Sequence, residues 1–352
     1  KRMEELSGGK AYTIHRLLEY NGKTFKRDQF NPLETPLLIV DEVSMVDVPL
    51  AWHLFRAIDL DKTSVVFVGD HNQLPPVGPG NILRDLINTM AVPTTILDVC
   101  VRQAGALKLN SSAILAGEIR RTTAKSFDWY LLDYYKEPQN AITAIKEMYE
   151  DGLERLLFDP VKDAQVLTPT HKGPLGTVAL NEILQRLVQK KYFDVDVPQH
   201  DPRKRAPIYE GDKVIQTKND YNYDLMNGSI GYKLPNTVEK VDGKDVEYCQ
   251  FLFDDRKIMI EKNDTETLGN IKLAYALTFH KCQGSEFPCA VVIIHKSHSF
   301  QHHRNLFYTG VTRAQKTAII VGDHWGVRNC AQKVQVDTRR TFLSYLLKPA
   351  NS

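Results

Sequence analysis

The sequence predicts an α/β protein of two doubly wound parallel-sheet domains, the second interrupted by a small all-β module. Three observations carry this reading. Short apolar runs that read as buried strands alternate with helical segments in both halves of the chain. Over residues 206–267 the period shortens to brief strands with the turn signals Asn227-Gly228 and Asp242-Gly243. The alternating pattern then resumes, which puts the β module inside the second domain.

In the first domain, Ile14, Leu17 and Leu18 have helical spacing, and Asn21-Gly22 reads as the turn of a small hairpin over about 19–34. Strand 37–40 (LLIV) leads to a helix over 48–59, strand 64–68 (SVVFV), a helix near 80–90 and strand 94–97 (TTIL). Residues 104–160 read mainly as helix. The second pattern opens with strand 164–169 and helix 174–191. It resumes after the module with strand 290–295, a helix over RNLFYTGVTRAQK and strand 317–322. The module's strands are expected at 212–217, 229–234, 248–253 and 256–261. The domain limits are therefore 1–103 for the first domain and 104–205 with 268–352 for the second, with 206–267 as the insertion. The opening KRMEELSGGK reads as the end of a helix, so the first domain is expected to be incomplete at its N-terminus.

Composition excludes more than it assigns. A net charge of +2 over 352 residues does not by itself argue for a nucleic-acid partner, and Arg203-Lys204-Arg205 or Arg120-Arg121 alone read as solvated surface. Five cysteines (Cys100, Cys249, Cys282, Cys289, Cys330) contain no C-x-x-C pair, which argues for reduced thiols in a cytosolic compartment and against a disulfide or zinc framework. No apolar run has the length of a membrane span, and no membrane partner is expected. His295, His298, His302 and His303 lie close together, but no cysteine joins them and a loop is a poor cage for zinc.

Two stretches carry chemistry. In LLIVDEVSM (37–45), Asp41 and Glu42 emerge together at the end of an apolar strand. Nucleotide hydrolysis needs one carboxylate for Mg²⁺ and a second to position water, and a turn leaving the sheet can free both from strand alternation. In VVFVGDHNQLPPVGPG (65–80), a second strand leads to Gln73, suited to a γ-phosphate or its attacking water, and to a stiff Pro75-Pro76 edge.

In order along the chain stand DEVSM, GDHNQLPPV, VRQ (101–103), LTPTHKGPLG (167–176), TKNDYNYDLMNG (217–228), ALTFHKCQGSE (276–286) and YTGVTRAQK (308–316). This series resembles the successive motifs of the RecD-like branch of superfamily-one DNA helicases, over essentially the whole chain. The resemblance implies two RecA-like motor domains, the first incomplete, with an SH3-like insertion in the second. It also implies ATP-driven movement along single-stranded DNA, 5′ to 3′, with duplex unwinding.

Residue by residue, the resemblance implies that Asp41 serves the metal, Glu42 the hydrolytic water and Gln73 the γ-phosphate. Arg102 and Arg313 would be arginine fingers, for which a permanently charged, forked guanidinium is suited. The family's aromatic residue before the first arginine is replaced here by Val101, which puts base stacking on the nucleotide in doubt. Strand contacts would come from Thr13, His15, Pro75, Pro76, Thr168, Pro169, Lys172, Thr278 and His280, and from Asn219 and Asn227 in the insertion, where Tyr221 and Tyr223 fit either strand contact or barrel core.

The G-x-x-x-x-G-K-[ST] loop of such an enzyme is missing from these 352 residues. Gly22-Lys23-Thr24 is the one GKT, Leu17 stands where its first glycine should be, and a helix rather than a strand leads into it. ATP and Mg²⁺ are thus expected in a complete protein, and the isolated chain is expected to lack ATPase activity. Single-stranded DNA and single-strand/duplex junctions are the expected partners, with nuclease-complex partners undefined. A pseudo-motor that binds DNA or a protein without hydrolysis is the rival reading, and a P-loop enzyme acting on another polymer is the third.

Overall fold

The computed structural model describes residue 4 and residues 8–97, 105–121, 126–199, 206–334 and 342–347. The chain divides into two compact units, residues 1–98 with 335–352, and residues 99–334.

In the first unit, β1 (Leu37–Val40) pairs in parallel with β2 (Ser64–Phe67), and α1 (Ile14–Leu17), a 3-10 turn (Val43–Met45), α2 (Val48–Arg56) and α3 (Ile82–Thr89) accompany them. Asp47 caps α2, accepting from Leu50 N at 2.9 Å, and Asn81 caps α3. The core is Leu18, Val40, Val43, Leu54, Ala57 and Leu83 with their neighbours. Tyr20 bridges Phe25 across a turn in which Asn21 Oδ1 accepts from Lys23 N (3.0 Å) and Thr24 N (2.9 Å). The GKT triplet is therefore a side-chain-braced hairpin turn.

Three expectations change here. Thr94–Leu97 is not a strand: it has no ladder partner, and Ile96 and Leu97 are exposed. Among the described residues one face of the sheet carries no packed element. Leu38, Val40, Val65 and Phe67 face the core, while Leu37, Ile39, Val66 and Val68 on the other face are left 45–50% exposed. Finally, the turn Leu343–Leu346, expected in the second domain, belongs with the first unit, because Leu343 packs onto that unit's core.

The second unit is built on a five-stranded sheet in the order β11-β4-β12-β13-β3, parallel throughout. Its strands are β3 (Trp129–Leu132), β4 (Ala164–Thr168), β11 (Ala276–Thr278), β12 (Phe287–Ile294) and β13 (Ala314–Gly322). The longer helices are α4 (Gly105–Leu115), α5 (Pro138–Glu147), α6 (Thr177–Phe193), α7 (Arg304–Val311) and α8 (His324–Gln332). The segment 104–160 is thus not all helical. WYLL at 129–132 is an edge strand on β13, too short and uniformly apolar to show a period.

The interruption is a second, antiparallel sheet of β5 (Lys213–Gln216), β6 (Ile230–Lys233), β7 (Thr237–Val241), β8 (Lys244–Phe253), β9 (Arg256–Glu261) and β10 (Ile271–Leu273). Its core is Val214, Leu225, Phe251, Phe253, Ile260 and Ile271. β10 pairs with β5, so this sheet reaches past the expected limit at 267.

A buried carboxylate fixes the module to the parallel sheet. Asp212 accepts from Tyr209 N (2.7 Å), Gln185 Nε2 (2.5 Å), Gln189 Nε2 (2.9 Å) and Tyr275 Oη (2.9 Å). The donors come from α6, the entry to β5 and the exit from β10. Burial holds the Asp212 carboxyl above the usual carboxylate range against these four stabilising bonds. Beside it, Lys213 Nζ donates to Ala164 O at 3.0 Å, and burial lowers the amine to about 7. Asp212→Ala would strand several buried donors, at about 1–3 kcal/mol each. It should lower the urea midpoint of the chain sharply, and Asp212→Asn, which keeps one acceptor oxygen, should cost less. Equal midpoints for Asp212→Ala and the unaltered chain would contradict this role.

Candidate functional site

At the end of β1 the chain turns on Glu42, whose φ of +53° is left-handed. An L-residue pays about 1–2 kcal/mol for that conformation. The kink takes Glu42 off the strand's alternation, while exposed Asp41 continues it. Asp41 is exposed, and its Oδ1 accepts from Glu42 N at 2.8 Å. Val43 N then donates to Val68 O at 3.0 Å, tying the turn to the end of β2.

The β2 exit passes against this turn. A Cβ on Gly69 would stand 3.1 Å from Val43 N and 3.2 Å from Ser44 N, so a glycine suits this crossing. Asp70 Oδ1 accepts from Asn72 N at 2.9 Å and its carbonyl from Gln73 N at 3.2 Å, which curls the loop back. Gln73 is buried, and its Oε1 has no hydrogen-bond partner; the same holds for Ser44 Oγ on the facing turn. Buried polar atoms without a partner are uncommon, and these two stand in the two loops that cross at Gly69. Of the proline pair, Pro75 is half-buried and Pro76 buried, so Pro76 presents no surface to a strand; Val77 is the exposed residue there.

Thr13 and His15 are engaged locally. Thr13 Oγ1 accepts from Arg16 N at 3.3 Å as the cap of α1, and the half-buried His15 ring stands 5.4 Å from Tyr20 and 5.6 Å from Phe25.

In the second unit the parallel sheet sorts the expected residues by edge. At the carboxyl end of β4, Thr168 and Pro169 are buried, and Thr168 Oγ1 donates to Leu175 O at 2.6 Å. They support the loop and cannot touch a strand. Lys172 is exposed, and half-buried Thr170 sits 3.3 Å from His298 Nε2. At the carboxyl end of β11, Thr278 is buried while His280 is exposed. Lys281 donates to Asn227 Oδ1, and Asn227 N donates to Asn219 Oδ1 at 2.8 Å. Asn219, Asn227 and the turn after β11 are thereby brought together. Lys281 was missed in the sequence although it lies inside TFHK; only the fold shows its partner. Tyr221 is exposed beside Asn219, whereas Tyr223 packs against the module's core.

Arg313 lies at the opposite edge, immediately before β13. It is buried, and its guanidinium donates to Thr309 O (3.3 Å), Ser285 O (3.2 Å) and Thr312 Oγ1 (3.4 Å), all neutral acceptors. A buried cation held by neutral oxygens is expensive without an anion, and an arriving phosphate would supply one. The connection 279–286 runs from one edge to the other. It leaves β11 level with Thr168 and enters β12 below Ala164, a span of about 20 Å at the usual strand rise. Arg102 lies outside the described residues.

The four histidines hold no metal cluster among the described residues. Buried His302 pairs Nε2 with His295 O at 3.1 Å and Nδ1 with Asn329 Nδ2 at 3.2 Å. His298, also buried, braces Thr170 from behind. No sequence signal distinguished that role.

Comparison with known proteins matches residues 1–79 to an AAA domain and residues 273–321 to a UvrD-like helicase C-terminal domain. Together with the relatives that follow, these place the chain in the class of superfamily-one DNA helicases. The chain is 34% identical over 347 residues to the ATP-dependent RecD2 DNA helicase of Deinococcus radiodurans, covering 97% of this chain and 44% of that protein. It is 26% identical to the RecBCD enzyme subunit RecD of Mycolicibacterium smegmatis, covering 98% of this chain and 60% of the relative. The RecD subunit of Buchnera aphidicola is likewise 26% identical, with 89% and 58% covered. The chain belongs to the RecD-like helicase family and spans about half the length of these relatives. A Pif1 helicase from Bacteroides, solved with ADP-AlF3 and single-stranded DNA, overlaps 93% of this chain and 81% of its own at 18% identity, with a TM-score of 0.43.

Burial pushes both His298 and His302 down to about 4 from an ordinary 6.5. Between those values the unfolded chain takes up protons that the folded chain refuses, so stability is full above about pH 6.5 and declines toward pH 4. From pH 7.5 to 5 each histidine should cost about 2 kcal/mol. Urea midpoints at those two pH values should converge in His298→Gln and His302→Gln relative to the unaltered chain; an unchanged pH dependence in both would contradict the assignment.

Proposed function

We propose that this chain is the part of an ATP-dependent, single-strand-translocating DNA helicase that carries the hydrolytic carboxylates and much of the strand-binding surface. The observation that carries the proposal is the turn after β1. It combines exposed Asp41, Glu42 at positive φ, and the unsatisfied buried Gln73 Oε1 and Ser44 Oγ within one motif pair. A relative named as an ATP-dependent DNA helicase makes ATP and DNA the natural ligands.

The residues present fit a metal–phosphate ligand in part. One exposed carboxylate suits Mg²⁺, which keeps most of its waters, and bound Mg²⁺ would neutralise phosphate charge. Asp41 would hold the metal, Glu42 would orient the attacking water, and Gln73 would register the terminal phosphate. Arg313 would exchange its neutral acceptors for phosphate oxygens. The phosphate-cradling loop is not in these 352 residues. The bare apolar face of the β1–β2 sheet is a fitting seat for a strand and helix carrying such a loop. Movement from 5′ to 3′ and duplex unwinding complete the proposal, together with recognition of single-strand/duplex junctions. Lys172 and His280 would hold the strand's backbone.

A second reading is a pseudo-motor that binds single-stranded DNA or a partner protein without hydrolysis. The two separate in a simple test. The pure 352-residue chain should show no DNA-stimulated ATP turnover, and should bind labelled oligonucleotides at about micromolar affinity, without sequence preference, weakening steeply with salt. In a longer protein that includes a GKT or GKS loop, hydrolysis should appear. Glu42→Gln should then abolish it while sparing ATP binding, and Arg313→Ala should cut it by about a thousandfold. DNA-stimulated turnover of about one per second by the 352-residue chain would contradict the first part, and normal turnover of either variant in the longer protein the second.

A further inference from the structure

We infer that the strand-binding surface of the second unit extends beyond Lys172 and His280, along the rest of the same sheet edge, to an aromatic rim of Phe300, Trp325 and Tyr134 on which bases stack. The inference rests on the strand-binding reading above and adds a base-stacking half to it.

All five strands of the parallel sheet run the same way, so the segments that follow β11, β4, β12, β13 and β3 leave from one edge. In that order they carry His280, Lys172, Phe300, Trp325 and Tyr134. The edge spans about 19 Å at the usual strand spacing. The carboxyl edge of a parallel sheet is where open α/β folds take their ligands.

Hydrogen bonds make the edge continuous. Thr170, in the loop with Lys172, meets His298 in the 3-10 segment Lys296–Gln301 that also bears Phe300. Lys296 N donates to Asp323 Oδ1 at 2.6 Å, Asp323 caps α8, and Tyr134 bridges Asp323. A Cβ on Gly326 would lie 2.7 Å from Lys296 N, so α8 begins pressed against that segment. Phe300, Trp325 and Tyr134 are nevertheless 66%, 56% and 64% exposed. Large aromatic rings left in water on a rigid, closely bonded frame are unusual for a soluble surface that serves no partner.

Charge favours a polyanion as that partner. Lys136, Lys172 and Arg328 are exposed along the edge. Its carboxylates are spoken for: Asp133 lies 2.9 Å from His324 Nδ1 and 3.4 Å from Arg121, and Glu137 lies 3.5 Å from Lys296 Nζ. Cations that follow a backbone, interleaved with exposed rings, are the pattern by which single strands are held without reading sequence. A protein partner would use the rings and would not need the cations.

The test uses the 352-residue chain with oligonucleotides of increasing length, with and without bases. Phe300→Ala and Trp325→Ala should each weaken binding of longer oligonucleotides at least about fivefold, the loss of one stacked base. They should leave binding of abasic oligonucleotides unchanged. In a Trp52→Phe background, where Trp325 is the exposed tryptophan among the described residues, strand binding should quench its fluorescence; this readout needs no change at the rim. Lys172→Ala and His280→Ala should weaken abasic and natural oligonucleotides alike. If those two variants lose affinity while the rim variants and the fluorescence do not change, the rim proposal falls and the strand reading stands. If the unaltered chain binds no single strand at all, both fall. If Trp325→Ala instead dissolves a dimer in sedimentation, the rim is a protein interface and the proposal is overturned.

Discussion

Parallelism of the five-stranded sheet is the constraint on which the second unit depends. With β11, β4, β12, β13 and β3 all running one way, every carboxyl end is forced to one edge and every amino end to the other. Loops bearing Lys172 and His280 therefore share an edge, while Arg313, fixed just before β13 by Ser285 O and Thr309 O, is held at the other. The segment 279–286 crosses between the edges without a helix, whereas the crossing from β12 to Arg313 runs through α7. A shift of Ser285 against Arg313 would be felt at His280 through a few residues of backbone. In the proposed motor this would link the nucleotide to the grip on the strand.

The antiparallel module depends on the same frame through Asp212. Its four donors come from α6, the approach to β5 and Tyr275, so the entry and exit of the insertion are pinned together on the parallel sheet. A buried carboxylate fully bonded in this way contributes orientation more than net stability. It lets the Asn219–Asn227 turn reach Lys281 in a fixed place. The first unit is organised differently. Its two-stranded sheet has one packed face and one bare face, and its chemistry is concentrated in two loops that cross at Gly69.

Much of this was legible in the sequence because the signals were local. LLIV, SVVFV and AVVII are apolar runs with turn residues after them, and they became strands within three residues of their expected limits. The inserted β module showed itself through its Asn-Gly and Asp-Gly turns. The misses have a common physical origin. Thr94–Leu97 has strand-like residues but no neighbour to pair with. Trp129–Leu132 lacks a period, and its identity as a strand depends on β13, nearly two hundred residues away. Within the site, Asp41 and Glu42 could be singled out from sequence. Whether Thr168, Pro169, Pro76 and Thr278 face solvent could not, because motif membership says nothing about which side of a loop a residue occupies. Lys281 and His298 act through partners distant in sequence, and only the fold reveals them.

In the proposed strand-binding protein one edge of the parallel sheet meets the strand and the other does not. Amide hydrogen exchange of the 352-residue chain, with and without a saturating single-stranded oligonucleotide, tests it most directly. Exchange should slow in peptides covering 169–174, 279–284 and 295–301, and should not change in those covering 285–287 and 312–314. Protection centred on Arg313 and Ser285, with the carboxyl edge unaffected, would contradict it.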